Sequence, residues 1–121
     1  MRKLDNINIG IYEKALPKNI SWEERIKLVK ECGYDFMEIS IDETDERLAR
    51  LEYSKEEIKE IRDYLLDADV RIPSMCFSGH RRFPMGSMSQ ETRDKAMELM
   101  EKAIVFADRL GIRTIHILLR T

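Results

Sequence analysis

Only two cysteines occur in the 121 residues, Cys32 and Cys76, and no CxxC spacing joins them. That argues against a zinc site built on thiolates and predicts two reduced, buried thiols in a cytoplasmic protein. No apolar run reaches membrane-spanning length, and Met1-Arg2-Lys3-Leu4-Asp5 lacks the hydrophobic stretch of a signal peptide. Neither sign of charge dominates: 21 Lys and Arg stand against 23 Asp and Glu, a formal net charge of -2. Without a face-wide basic excess there is little to displace counterions, which argues against a nucleic-acid partner. Low-complexity segments and linkers are missing too, so residues 1–121 read as one domain or part of one.

What recurs is a strand followed by a helix. Ile7–Tyr12 alternates Ile7, Ile9 and Ile11 with Asn8, Gly10 and Tyr12, a strand periodicity. Ser21-Trp22-Glu23-Glu24 is a capping box, opening a helix with Trp22, Ile26, Val29 and Cys32 on one face and Gly33 as its stop. Phe36–Ile41 is a second strand, with Met37, Ile39 and Ile41 on one side and Glu38 and Ser40 on the other. The acidic run Asp42–Glu46 leads into a helical turn near Glu46–Leu51. Ser54-Lys55-Glu56-Glu57 is a second capping box, and Ile58, Ile61, Leu65 and Ala68 follow at core spacing. Arg71–Phe77 reads as a third strand and Ser78–Met88 as a loop. A long helix follows from about Gln90 to Leu110, with Ala96, Leu99, Ala103, Ala107 and Leu110 inward and Gly111 closing it. Arg113–Leu119 is the fourth strand.

Strict alternation means parallel strands joined by crossover helices. Strands covered by helices on both sides should be apolar throughout. Here one face carries Asn8, Gly10 and Tyr12, then Glu38 and Ser40, then Ser74 and Cys76, then Thr114 and His116. Such a face suits the interior of a (βα)8 barrel whose upper part meets a polar ligand. The expected fold is therefore α/β, the N-terminal half of a TIM barrel with four parallel strands and three crossover helices.

Specific segments carry a resemblance. Gly10-Ile11-Tyr12-Glu13-Lys14-Ala15-Leu16-Pro17 ends the first strand, and Asp35–Asp45 with Arg47–Leu51 continues the match. It is strongest at Pro73-Ser74-Met75-Cys76 and His80-Arg81-Arg82-Phe83-Pro84, and extends to Gly111-Ile112-Arg113. These residues resemble the L-ribulose-5-phosphate 3-epimerase family, also called L-xylulose-5-phosphate 3-epimerases, within the xylose-isomerase-like barrel superfamily. The resemblance implies an isomerase that epimerises C3 of a ketopentose 5-phosphate in the degradation of ascorbate and related sugars. It implies a divalent metal, Mn or Zn, holding the substrate oxygens in the full-length parent, and two glutamates flanking C3. The family's metal ligands and catalytic glutamates come from later strands and have no counterpart before Thr121, so no catalytic or metal-binding residue is assigned here. The tail His116-Ile117-Leu118-Leu119-Arg120-Thr121 also departs from the family pattern. A cut chain and a shifted reading frame are equal explanations at this point. The expectation is an inactive N-terminal fragment that associates through open strand edges. Two rivals stand beside it: a superfamily relative acting on unphosphorylated sugars or inosose, and a half-barrel that binds a sugar phosphate without turning it over.

The candidate substrate-binding residues are Tyr12, Lys14, Glu38, His80, Arg81 and Arg82. Arginine forks suit phosphate oxygens, and the loop carrying His80, Arg81 and Arg82 follows a strand end. The alternative is a solvated loop with one Arg paired to the Asp42–Asp45 run. Glu38 is either an acceptor for a sugar hydroxyl or half of an ion pair with a neighbouring Arg. Tyr12 would wall the sugar and Lys14 meet phosphate, or the loop is anchored by Tyr12 with Glu13 and Lys14 in water. His116 faces the same side as Thr114, and a core or surface role outweighs a metal-binding one. Asp42–Glu46 lacks calcium-loop spacing and reads as helix N-terminal charge. The seven methionines read as packing.

Overall fold

A computed structural model describes residues 7–117. Four parallel strands lie side by side in chain order: β1 (Gly10–Tyr12), β2 (Phe36–Ile41), β3 (Ser74–Phe77) and β4 (Thr114–Ile117). Helix α1 (Trp22–Glu31) connects β1 to β2. The short α2 (Asp45–Leu48) and then α3 (Lys55–Ala68) connect β2 to β3, and α4 (Gln90–Leu110) connects β3 to β4. Single turns of tighter helix lie at Glu13–Ala15, Ala49–Glu52 and Gly79–Arg81. Sequential parallel strands with a helix in every crossover are the first half of a (βα)8 barrel.

The helices begin where capping chemistry starts them. At α1 the Ser21 hydroxyl accepts from Glu24 N while the Glu24 carboxylate reaches back to Ser21 N, and Ser54 with Glu57 repeats this at α3. Ser89 caps α4, and Gly111 ends it at φ 84°, a conformation that costs glycine least.

The apolar side of the sheet is closed by these helices. Met37, Ile39, Ile41, Met75 and Phe77 have no exposed surface and meet Ile26, Val29, Ile58, Ile61, Leu99 and Phe106 in one core. Full burial of each such side chain contributes about 1.5–3 kcal/mol. Phe106 was not among the inward positions expected on α4, although it lies three residues beyond Ala103 on the same stripe. Cys76 is buried as expected; Cys32, at the end of α1, is exposed.

Two strands are shorter than their alternation suggests. Ile7–Ile9 lies outside the ladder, and Asp35 anchors it instead, its carboxylate accepting from Ile9 N at 2.9 Å and its amide donating to the Ile9 carbonyl at 2.7 Å. Arg71 makes an isolated bridge to Phe36, and the ladder of β3 resumes only at Ser74, after Pro73, which has no N–H to donate. For β4 the expected extension through Leu119 lies outside the described residues. Gly10 is required by a close approach: a Cβ there would stand 2.0 Å from the Phe36 ring beside it in the sheet.

One charged group ties these layers together. Glu13, which one of the two readings of the β1 loop left in water, is 1% exposed. Its carboxylate accepts from Arg50 Nη1 at 2.8 Å and Nη2 at 2.5 Å, from Arg47 Nη1 at 3.2 Å and from Ser40 N at 2.9 Å, and Arg25 Nε lies 3.2 Å away. These partners come from β2, α1, α2 and the turn after it. Burial opposes ionisation of Glu13, but the Arg50 fork, Ser40 N and Arg47 outweigh it and hold the carboxyl below its usual range. Removing one member of a buried, hydrogen-bonded charge cluster strands the others. Glu13→Gln is expected to cost about 3–5 kcal/mol, read as a lower urea midpoint. An unchanged midpoint would mean that the three arginines do not depend on this carboxylate.

Candidate functional site

Strand alternation delivers a second set of polar side chains to the face opposite the helices. Tyr12 lies beside Glu38 in the β1–β2 register. Glu38 Oε2 accepts a hydrogen bond from Ser74 Oγ at 2.7 Å, and His116 Nδ1 lies 3.0 Å from the same oxygen. Ser40, Cys76 and His116 form the next row across β2, β3 and β4. The Tyr12 phenol approaches Ser40 and Cys76, and burial pushes its pKa up. The His116 side chain is 54% exposed and that of Glu38 25%, so both are open to a ligand. Glu38 holds the imidazole through Nδ1. The arrangement offers an acceptor, two hydroxyls and an imidazole along one open wall, groups suited to the hydroxyls of a sugar.

The six expected site residues do not converge. Tyr12 and Glu38 share the open face, and the partners of Glu38 are Ser74 and His116 rather than an arginine. Lys14 pairs with Asp42 at 3.1 Å. His80 is buried, its ring centroid 5.8 Å from that of the core residue Phe77. Arg81 is exposed on the turn after β3. Arg82 pairs with Asp45 and lies over the Phe83 ring. Thus the loop after β3 is tied to the acidic run after β2, although an ion pair this exposed contributes little stability.

The acidic run is built around Asp42. Its carboxylate accepts from Thr44 N at 3.0 Å and Thr44 Oγ1 at 2.6 Å, while Thr44 caps α2 by accepting from Arg47 N. Burial opposes ionisation, yet the two Thr44 donors and Lys14 prevail and lower the Asp42 pKa to about 2.

No group of three or more His, Cys, Asp or Glu positioned to hold a metal occurs among the described residues. Glu38 and His116 alone supply only two protein ligands. The described residues therefore do not by themselves fit the divalent metal that the resemblance implies, and no chemical step is routed through one. No helix is long and apolar enough to cross a membrane among the described residues.

Ser74 and His116 were visible as polar-face positions, but their convergence on Glu38 was not. The signal for Glu13 was stronger. Alternation after Tyr12 sends Glu13 to the helix side, and Arg25 interrupts the apolar stripe of Trp22, Ile26 and Val29.

A parallel βαβ array with a polar face opposite its helices defines half of a (βα)8 barrel. Residues 26–120 match the family model described as xylose isomerase-like TIM barrel. The chain belongs to that family. It is 53% identical over 112 residues to SgbU of Escherichia coli K12, a protein named provisionally as an L-ribulose-5-phosphate 3-epimerase. The match covers 93% of this chain and 39% of that relative. It is 50% identical over 111 residues to the L-ribulose-5-phosphate 3-epimerase UlaE of Shigella boydii serotype 18, covering 92% of this chain and 39% of the relative. The chain thus spans about two fifths of the length of these curated relatives. A crystal structure of D-psicose 3-epimerase with D-fructose superposes with a TM-score of 0.76 at 20% identity, over 93% of this chain and 37% of that one. At that identity the likeness establishes the fold alone.

The depressed Asp42 pKa has a definite sign. An unfolded aspartate titrates near about 3.9, so Asp42 contributes stability that is present above that pH and lost as pH falls through about 2. The stability gap between the wild-type chain and Asp42→Asn should close over this window in urea titrations at stepped pH. A gap constant down to pH about 2 would contradict the assignment.

Proposed function

We propose that this chain forms the N-terminal half of the barrel of a ketopentose-5-phosphate 3-epimerase, acting on L-ribulose 5-phosphate or L-xylulose 5-phosphate. The observation that carries the reading is 50–53% identity, over at least 90% of the chain, to proteins named for that reaction. The open wall of Tyr12, Glu38, Ser74 and His116 supports it, because a pentulose presents several hydroxyls to the barrel interior.

Epimerisation at C3 needs a proton removed from one face of the carbon and another delivered to the opposite face. The described wall offers a single carboxylate, Glu38, already engaged by Ser74 and His116. Its role in this reading is to accept a substrate hydroxyl and orient the sugar. The acid/base pair and the ligands of the divalent metal would then belong to other strands of a complete barrel, and the 121-residue chain alone would be inactive. Residues 1–121 are accordingly one partial domain.

Solvent-deuterium exchange at C3 of L-ribulose 5-phosphate, followed by NMR with added Mn²⁺ or Zn²⁺, tests both parts. The chain alone should show no exchange above background, and a full-length barrel built on it should show exchange. Exchange by the chain alone would refute the inactivity; no exchange by the complete barrel would refute the epimerase assignment.

Within the described sheet, β1 and β4 each have one strand neighbour, so each presents an outer edge. Self-association through these edges is the expected behaviour in solution. Light scattering at micromolar concentration should give a mass above that of one chain, and a monomer mass would count against it.

A further inference from the structure

The Glu13 cluster borders a cleft of about 460 Å³ between the β1–α1 connection and the β2–α2 connection. Its charged lining is Lys14, Lys18, Arg25, Arg47 and Arg50 on one side of the balance, and Asp42 and Glu46 on the other. Glu13 adds one further carboxylate behind the arginines. Five cations against three carboxylates leave two positive charges uncompensated in a partly desolvated space. The cations also repel one another: burial lowers the Arg25 pKa, Glu13 opposes this, and Arg50 and Arg47 lower it further.

The donors are not exhausted by the existing contacts. Arg47 is only partly buried, and among the described residues its side-chain hydrogen bonds run through Nη1, to Glu13 Oε1 and the Ser40 carbonyl. Its Nε and Nη2 are left for a ligand. Lys18 lines the same space and is exposed. The guanidiniums are also held in place: Arg25 and Arg50 lie 5.1 and 4.5 Å from the centre of the Trp22 ring, and Trp22 Nε1 donates to Tyr53 Oη at 3.1 Å. The donors that Arg47 and Lys18 present are thus backed by a fixed cluster, which lowers the ordering cost of binding a tetrahedral oxyanion.

We propose that this cleft is a binding site for a phosphate dianion, either inorganic phosphate or the phosphoryl group of a small phosphorylated metabolite. It is distinct from the sugar-facing wall. Glu13 and Arg25 belong to the helix-covered side of the sheet, whereas Glu38, Ser74 and His116 occupy the other face. The proposal therefore stands or falls independently of the epimerase assignment. A dianion there neutralises the two surplus charges and links α1 to the start of α2, which would tighten the end of the sheet where β1 and β2 finish.

The chain contains one tryptophan, Trp22, and it lines this cleft. Its fluorescence therefore reports occupancy directly. Titration with inorganic phosphate at constant ionic strength, against chloride, should give a saturable change in Trp22 emission. Arg47→Gln should weaken binding by about tenfold, as expected for loss of a charged hydrogen bond. Lys18→Gln, an exposed change that leaves the buried cluster intact, should weaken it by about threefold. In a parallel titration with L-ribulose 5-phosphate, an equal dissociation constant means that only the phosphoryl group is read, and a tighter one adds sugar contacts. A response to phosphate no different from chloride overturns the proposal. So does wild-type affinity in Lys18→Gln together with either wild-type affinity or loss of folding in Arg47→Gln.

Discussion

A carboxylate with almost no exposed surface, surrounded by three guanidiniums, sets the geometry of this half-barrel. Glu13 follows β1 directly, and its partners reach it from α1, α2, the turn after α2 and the backbone of β2. The position at which the first two crossovers leave the sheet is therefore fixed by directed charge–charge hydrogen bonds, where apolar contacts alone would allow sliding. Burying the three ionised groups Glu13, Arg25 and Arg50 costs several kcal/mol each before pairing, so the cluster adds less net stability than its short contacts suggest. Its effect is to specify an arrangement, since any displacement leaves a buried charge unpaired.

That constraint separates two chemistries on one short sheet. On the helix side the arginine cluster makes a positively charged cleft above the apolar core. On the other side, strand alternation turns Tyr12, Glu38, Ser74 and His116 outward together, with Glu38 as their centre. The Asp42 turn lies between them in sequence: Asp42 accepts from Thr44, Thr44 caps α2, and α2 presents Arg47 to Glu13. A change at that turn should thus be felt in the cleft before it is felt on the Glu38 wall.

Most of the fold was legible because it rests on local signals. The two Ser-x-x-Glu boxes marked α1 and α3, Gly111 marked the end of α4, and alternation in Phe36–Ile41 sorted Met37, Ile39 and Ile41 from Glu38 and Ser40. Strand lengths were less legible, since whether Ile7–Ile9 or Arg71 joins a ladder depends on a neighbouring strand and on Pro73. The site was partly legible for the same reason. Periodicity placed Glu38, Ser74 and His116 on one face, but their meeting at one oxygen depends on register between three strands. The burial of Glu13 was not legible, and one of the two readings of its loop left it in water, because its three arginine partners lie 12, 34 and 37 residues away. The local hints were the alternation that sends Glu13 to the helix side and an arginine within the apolar stripe of α1. For Arg81 and Arg82 the position at a strand end suggested phosphate contact, with pairing of one Arg to the Asp42–Asp45 run as the alternative; Arg82 pairs with Asp45, a partner that local sequence pattern alone does not separate from a substrate.

The central claim is that the Glu38 wall is the surface this chain turns toward a sugar. The most direct measurement is a crystal structure of the complete barrel containing this chain, solved with L-ribulose 5-phosphate bound. The account predicts a substrate hydroxyl within hydrogen-bonding distance of the Glu38 carboxylate, about 2.5–3.0 Å, with Tyr12 and His116 flanking the sugar. A substrate bound with Glu38, Tyr12 and His116 all out of contact would contradict it.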